Sequence, residues 1–309
     1  MRLRNLFFCS AIFFIAAARA VAQNGLTLTW ITNSSVKMEQ VIGDKDWADA
    51  ARGTNTPTTS LTVTRFHVLG NGLGYSFEHD GKLIFLFGDT ISEDPTNLNY
   101  HAADPIAWST STDPEAGLLI NFYTNSDGSP LFVKPSGIKM GPDDVPNSGF
   151  SLNDRIYLIC HTGSDTSNTN NSHQGDYSVL VSFDEAGQTF TTNRTISMLD
   201  SNLDSRSMMQ GHFIIDSPHI YGTNVIMFGL GEYRATDIYL SIVPTNSFLS
   251  GAGTRYFAGL TNGQPLWNNF ESNAAPVVVD NPTNGPPWPN DFPTIGNVSV
   301  IYSADLGLW

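Results

Sequence analysis

Cysteine, basic residues and helical periodicity are all scarce in this chain, and each scarcity closes off a class of protein. Only two cysteines occur in 309 residues. Cys9 lies in an apolar N-terminal stretch and Cys160 in the run IYLIC. A disulfide framework and paired-cysteine metal sites are therefore excluded, and Cys160 reads as a buried, inert thiol. There is no His-x-x-x-His pair and no Gly-x-Ser-x-Gly elbow, so two common hydrolase signatures are missing. Lys and Arg together number 15 against 29 acids, a net charge of −14. Such a surface repels nucleic acid and anionic membranes. Leu6 to Ala17 is the most apolar stretch, and it is too short to span a bilayer comfortably.

The N-terminus reads as an export signal. Arg2 and Arg4 precede that apolar stretch, and Ala20-Val21-Ala22 supplies a small-x-small cleavage pattern before Gln23. Cys9 sits too early, inside the apolar core, to serve as a lipidation site. The expectation is a signal peptide over 1–22 and a secreted or periplasmic protein. Cleavage removes three arginines and no acids, taking the charge from −14 to −17. Residues 23–60 are polar and rich in Thr and Asn, a leader with one short helix around Asp44 to Arg52. The main domain is expected over 61–309.

From residue 61 onward, short apolar runs alternate with Gly, Asn, Asp and Pro, the pattern of an all-β domain. An internal repeat organises it. The first copy is GYSFEHDGKLIFLFGDT, a loop, then DPIAWSTSTD. The second is SGFSLNDRIYLICHTG, a loop, then DYSVLVSFDEAGQTF; the third is GHFIIDSPHIYGTNVIMFGLGEYRATDIYLSIVP. Each reads as strand, tight turn, stronger strand, polar loop, Asp, strand. The strong strands begin at Leu83, Ile156 and Val225, spacings of 73 and 69 residues. A weaker fourth copy, TRYFAGLTNGQPLWNN, and the start of a fifth at GNVSVIYSADLGLW complete the series. Units of this length with three or four strands are propeller blades. The expectation is a five-bladed β-propeller whose last blade is incomplete, with a β-sandwich as the alternative. The stretch SFDEAGQTF looks like the Asp-box turn of sialidase-type propellers, with one extra residue.

In an up-down-up meander, the start of the first strand, the end of the second and the start of the third share one rim. That rim gathers Asp89 and Asp104 from the first unit, Asn147 and His161 from the second, and His212, Glu232 and Arg234 from the third. Asp89 has no counterpart in the other units, where His161-Thr162 and Glu232-Tyr233 stand instead, so the repeat does not require its carboxylate. Asp104, Asp176 and Asp237 recur and can each serve as a loop cap. The opposite rim, with His79-Asp80-Gly81 and Asn153-Asp154, reads as hairpin chemistry alone. Paired carboxylates suit glycoside hydrolysis, where one acid protonates the leaving oxygen and the other attacks carbon or activates water. The candidate catalytic groups are Asp89 with Asp104 or Glu232. Asn147, His161, His212 and Arg234 are candidate sugar-binding groups.

Gly81 to Thr90 (GKLIFLFGDT), Gly231-Glu232-Tyr233-Arg234 and Asn297 to Tyr302 (NVSVIY) together resemble a family of secreted five-bladed propellers, long known only as a domain of unknown function. Members of that family are linked to endo-D-arabinanase activity on mycobacterial-type arabinan. The resemblance implies a glycoside hydrolase of the furanosidase type, with Asp89 and Asp104 matching the acidic pair of the first blade. By looser similarity to other propeller glycosidases, Glu232 would be the general acid. The expected protein is a monomeric enzyme acting on a polysaccharide such as arabinan, with no metal and no organic cofactor. A non-catalytic carbohydrate-binding propeller at the cell surface is the alternative.

Overall fold

The computed structural model describes residues 35–92, 103–138, 144–162, 177–198, 219–230 and 237–279, with a few isolated positions besides. Residues 39–309 belong to one compact unit. Its described strands form three antiparallel meanders. Sheet one runs β1 (Val68–His79), β2 (Lys82–Ser92), β3 (Ile106–Ser109) and β4 (Asn121–Phe122). Sheet two runs β5 (Pro146–Leu152), β6 (Arg155–Thr162), β7 (Tyr177–Asp184) and β8 (Thr189–Met198). Sheet three runs β9 (His219–Tyr221), β10 (Asn224–Gly229), β11 (Tyr239–Pro244), β12 (Arg255–Thr261) and β13 (Gln264–Asn268).

The first three repeat copies thus each found a sheet. The fourth does not: β12 pairs with β11, so the hairpin β12–β13 extends sheet three from outside. The reason lies in its side chains. No residue of β12 or β13 is fully buried, so the hairpin has no apolar face with which to nucleate a separate layer.

The strong middle strands are apolar throughout because both of their faces are covered. In β2, Ile84 and Leu86 face sheet two, in a core shared with Phe77, Ile106, Ile156, Leu158, Cys160, Val179 and Val181. Phe85 and Phe87 face the other way, onto Ile120, Phe122 and Phe132, where Val41, Ile42 and Phe66 of the preceding segment also pack. Along β6, Ile156, Leu158 and Cys160 face sheet one. Tyr157 and Ile159 face Val225, Met227, Val243 and Phe248 of the sheet-three region. Sheet two is therefore packed on both faces. Each of these buried side chains contributes about 1.5–3 kcal/mol of apolar burial.

Two-residue turns close the hairpins β1–β2, β5–β6 and β12–β13. Asp80-Gly81, Asn153-Asp154 and Asn262-Gly263 all take positive φ at both positions, the requirement of a type I′ turn. The SFDEAGQTF segment forms the β7–β8 hairpin. There Asp184 accepts from the Ala186 N–H at 3.2 Å, and a Cβ on Gly187 would lie 2.6 Å from the Asp184 carboxylate. Before sheet one stand two short helices, α1 (Trp47–Ala50) and α2 (Thr62–Phe66). Asp46 caps α1 by accepting from the Ala48 and Asp49 N–H groups. Among the described residues, no helix is long and apolar enough to cross a membrane.

Candidate active site

The meander places the end of β2, the start of β3, the start of β5 and the end of β6 on one rim. Asp89 lies in the last turn of ladder before β2 ends. Here β1 and β2 lose regular register, with irregularities between Gly70 and Gly74. Asp89 itself takes a φ of +50°, a left-handed backbone that costs a non-glycine residue free energy and is met at functional sites. Gly72 makes room for it: a Cβ there would sit 3.0 Å from both Cβ and Oδ2 of Asp89. The Asp89 side chain is exposed.

Thr90 staples this strand end to the segment before β3. Its N–H donates to the Ala103 carbonyl at 3.1 Å, and its hydroxyl donates to the same oxygen at 2.5 Å. Asn71 Nδ2 donates to the Thr90 hydroxyl oxygen at 2.7 Å. Two residues beyond Ala103, the Pro105 carbonyl accepts from the Phe87 N–H at 3.1 Å. Asp104 is caught between these two clamps, and the Asp89 N–H donates to its carboxyl group. Asp104 is 3% exposed, and its Oδ1 has no hydrogen-bond partner among the described residues.

Burial pushes the Asp104 carboxyl well above its ordinary range. The negative charge of Asp89 acts in the same direction; the Asp89 N–H bond opposes it, and the charge of Asp144 adds to the rise. The outcome is a buried carboxyl group raised above its ordinary range beside an exposed one, an arrangement suited to separating the roles of two like groups. The Cys160 thiol, wholly buried beneath, is likewise pushed up by burial and then by the charges of Asp104 and Asp144. It remains an inert thiol.

Asp144 is the member of this cluster that sequence reasoning overlooked. It is 1% exposed. Its Oδ2 accepts from the Gly141 N–H at 2.7 Å and from the Thr162 hydroxyl at 3.3 Å. A signal was present: Asp144-Val145-Pro146 opens β5 much as Asp104-Pro105 opens β3.

The other candidates separate. Asn147 occupies an irregularity of β5 between Pro146 and Ser148, the kind of bulge that re-aims a side chain at a rim. His161 is 2% exposed. It alternates with Cys160 and Thr162 and so shares the face of Tyr157 and Ile159, turned toward sheet three and away from Asp104. It therefore does not join the Asp89–Asp104 pair. Glu232, Arg234 and His212 lie outside the described residues, as does Asp176. No group of three or more His, Cys, Asp or Glu side chains among the described residues is placed to hold a metal ion.

Solved structures with similarity to the chain share little sequence with it. A Bacteroides ovatus ATCC 8483 protein provisionally designated a hydrolase is 13% identical, with a TM-score of 0.41 over 76% of this chain and 65% of that one. An α-L-arabinofuranosidase of Clostridium thermocellum ATCC 27405 is 10% identical, at a TM-score of 0.36 over 61% of this chain and 53% of its own. One from Lactobacillus brevis is 11% identical, at 0.35 over 62% and 54%. The chain thus spans less than two thirds of the length of each. No curated protein matches it. A family profile described as a domain of unknown function, DUF4185, matches residues 22–309, and the chain belongs to that family.

Proposed function

We propose that this chain is an exported glycoside hydrolase that cleaves a furanose polysaccharide of the arabinan type, within the chain, on a five-bladed propeller. One observation carries the reading: the buried carboxyl group of Asp104 accepts from the Asp89 N–H beside the exposed side chain of Asp89, and burial raises it above the ordinary carboxyl range. Asp104 is the general acid. It passes its proton to the glycosidic oxygen as the bond from that oxygen to the anomeric carbon breaks. Asp89 supplies the second function on the opposite side of the sugar, either attacking the anomeric carbon or taking a proton from the water that does. The separation of the two carboxyl groups across the bound sugar decides which. The furanose assignment rests on the Phe-Gly-Asp-Thr element and its companions in sequence. Asn147 and, beyond the described residues, His212 and Arg234 are assigned to sugar hydroxyls, and Glu232 is the competing acid.

The test is product release from arabinogalactan, lipoarabinomannan and plant arabinan by the purified mature protein, beside Asp89→Asn, Asp104→Asn and Glu232→Gln. Oligosaccharides from wild type, with losses of about 10²–10⁴-fold in Asp89→Asn and Asp104→Asn, support the reading. A comparable loss in Glu232→Gln with an active Asp104→Asn would transfer the acid role. No release from any polymer by folded protein would favour a carbohydrate-binding module instead.

A further inference from the structure

We propose that the cavity between β8 and the loop joining β11 to β12 is a second binding site, one that takes the carboxylate of an acidic sugar on Arg194. The cavity holds about 560 Å³, and Arg194, Ser250, Thr254, Tyr256 and Asn269 line it. It lies between sheets two and three, whereas Asp89 and Asp104 belong to the rim of sheet one. Arg194 stands opposite Leu180 in the β7–β8 ladder, and Leu180 and Ile196 pack toward Phe248. The Arg194 Cζ lies 5.9 Å from the centre of the Phe248 ring. The guanidinium also rests against Gly251, where a Cβ would come within 3.0 Å of Cζ. Glycine leaves the space that the guanidinium fills.

Packing on Phe248 explains the stem of Arg194 but not its head. A guanidinium has five N–H donors. Two are committed, Nε to the Phe248 carbonyl at 3.2 Å and Nη1 to the Thr195 carbonyl at 3.3 Å, both long for bonds of this kind. Nη2 has no hydrogen-bond partner among the described residues, and no described acid pairs with the guanidinium. The nearby acid Glu271 is engaged elsewhere, accepting from the Ser197 hydroxyl at 2.5 Å. The chain carries 29 acids against 15 Lys and Arg, so carboxylate partners were not scarce. A half-buried cation without one is unfavourable, and a ligand carboxylate supplies the missing acceptor. Arg194 is the one cation among the described lining residues, which matches the single charge of a carboxylate better than the double charge of a phosphate. The rest of the lining suits sugar hydroxyls. Burial, and then the charge of Glu271, push the Tyr256 phenol up to about 12, so it stays a neutral O–H donor. The volume is that of a small-ligand pocket.

The experiment is a calorimetric titration of the intact protein with the methyl glycosides of glucuronic and galacturonic acid, their neutral counterparts methyl glucoside and methyl galactoside, and inorganic phosphate. Arg194→Gln and Tyr256→Phe are titrated beside wild type, with folding checked by circular dichroism. Wild type should bind at least one uronide saturably, and its neutral counterpart about tenfold more weakly or less. Arg194→Gln should weaken the uronide by about tenfold to a hundredfold, and Tyr256→Phe by a few-fold. Added salt should weaken the uronide and leave the neutral sugar unchanged. Tyr256→Phe leaves the guanidinium in place, and it keeps the test available if Arg194→Gln fails to fold. No binding of either uronide to folded wild type would overturn the site. So would equal binding of the neutral sugar, or unchanged uronide affinity in a folded Arg194→Gln. Phosphate bound more tightly than either uronide would overturn the assignment to an acidic sugar. The titration needs no turnover, so its outcome is independent of the roles given to Asp89 and Asp104.

Discussion

The interface between sheets one and two carries carboxylates at both ends, and the two ends treat them in opposite ways. At the lower rim, Glu185 follows β7 and receives three donors from sheet one. Lys82 Nζ donates at 2.9 Å, the Tyr123 hydroxyl donates, and His79 Nε2 lies 3.2 Å away. Burial alone would push Glu185 upward, but the bonds from Tyr123 and Lys82 and the Lys82 charge bring it below its ordinary range. At the upper rim, burial acts on Asp104 and the two charges that act on it, from Asp89 and Asp144, are both negative. Its carboxyl group is held up. The same packed core separates the two rims. One end is a neutralised joint, the other an unneutralised one, and evolution tolerates the second kind where chemistry needs a displaced proton.

Asp104→Asn is the sharpest way to break this contrast. It should lower turnover by about 10²–10⁴-fold while leaving the fold intact, because the amide keeps an acceptor for the Asp89 N–H. Its stability effect has a definite sign. A carboxyl group raised in the folded state binds a proton that the unfolded chain has already released, so wild-type stability falls as pH rises from the ordinary carboxyl range to the raised one. The Asn variant lacks that decline. Chemical denaturation across pH 4–8 should show the variant gaining on wild type toward neutrality, and a variant that loses ground to wild type instead would contradict the placement of the proton.

Gly72→Ala tests the geometry without removing a carboxylate. The new methyl group meets Asp89 at 3.0 Å, so the aspartate must give way. A displacement of that order costs about tenfold to a hundredfold in rate. Turnover should fall while the Asp104 titration stays on the same side of its ordinary range. Wild-type kinetics in this variant would place Asp89 outside the reaction.

Glu185→Leu breaks the other joint. It strands Lys82 and removes the acceptor of Tyr123, at a cost of about 1–3 kcal/mol, and leaves the pH–rate profile where it was. Here the linkage runs in the other direction. Glu185 is held down in the folded state, so its contribution is present above the ordinary carboxyl range and fades as pH falls through the folded value. Wild type and Glu185→Leu should therefore converge in stability toward acid. An altered rate profile would show that the two rims communicate.

The sequence told more about the strands than about this contrast. Continuous apolar runs between Gly and Asp marked β2, β6 and β10, because strands covered on both faces have no polar side to alternate with. The pairs Asp80-Gly81 and Asn153-Asp154 marked hairpins through backbone chemistry that few residues satisfy. Asp89 and Asp104 met because a meander returns alternate strand ends to one rim. Asp144 escaped notice because its partner lies across a sheet-to-sheet interface, and nothing local encodes such a neighbour. His79 reads as part of a turn for the same reason: its partners are Ser151 and Glu185, 72 and 106 positions away. The hairpin β12–β13 matched the repeat in its turn but not in its side chains, and so joined sheet three.

The smallest effect should come from His79→Gln, and it probes whether the lower joint is a network or a pair. His79 is 7% exposed, with Nδ1 2.8 Å from the Ser151 hydroxyl oxygen and Nε2 facing Glu185. One ring thus joins β1 to β5 and to the β7–β8 turn. A glutamine amide stands where Nε2 faces Glu185 and does not reach Ser151, so about one hydrogen bond is lost, worth about 0.5–1.5 kcal/mol. Because Lys82 and Tyr123 still hold Glu185, the loss should not spread. Thermal unfolding should fall by roughly 2–4 °C for each kcal/mol in a domain of this size. The double variant His79→Gln with Ser151→Ala should cost hardly more than the first alone, since the two share one bond. Additive costs would show that Ser151 is held by something other than His79, and that the lower rim is a set of separate contacts instead of a joint.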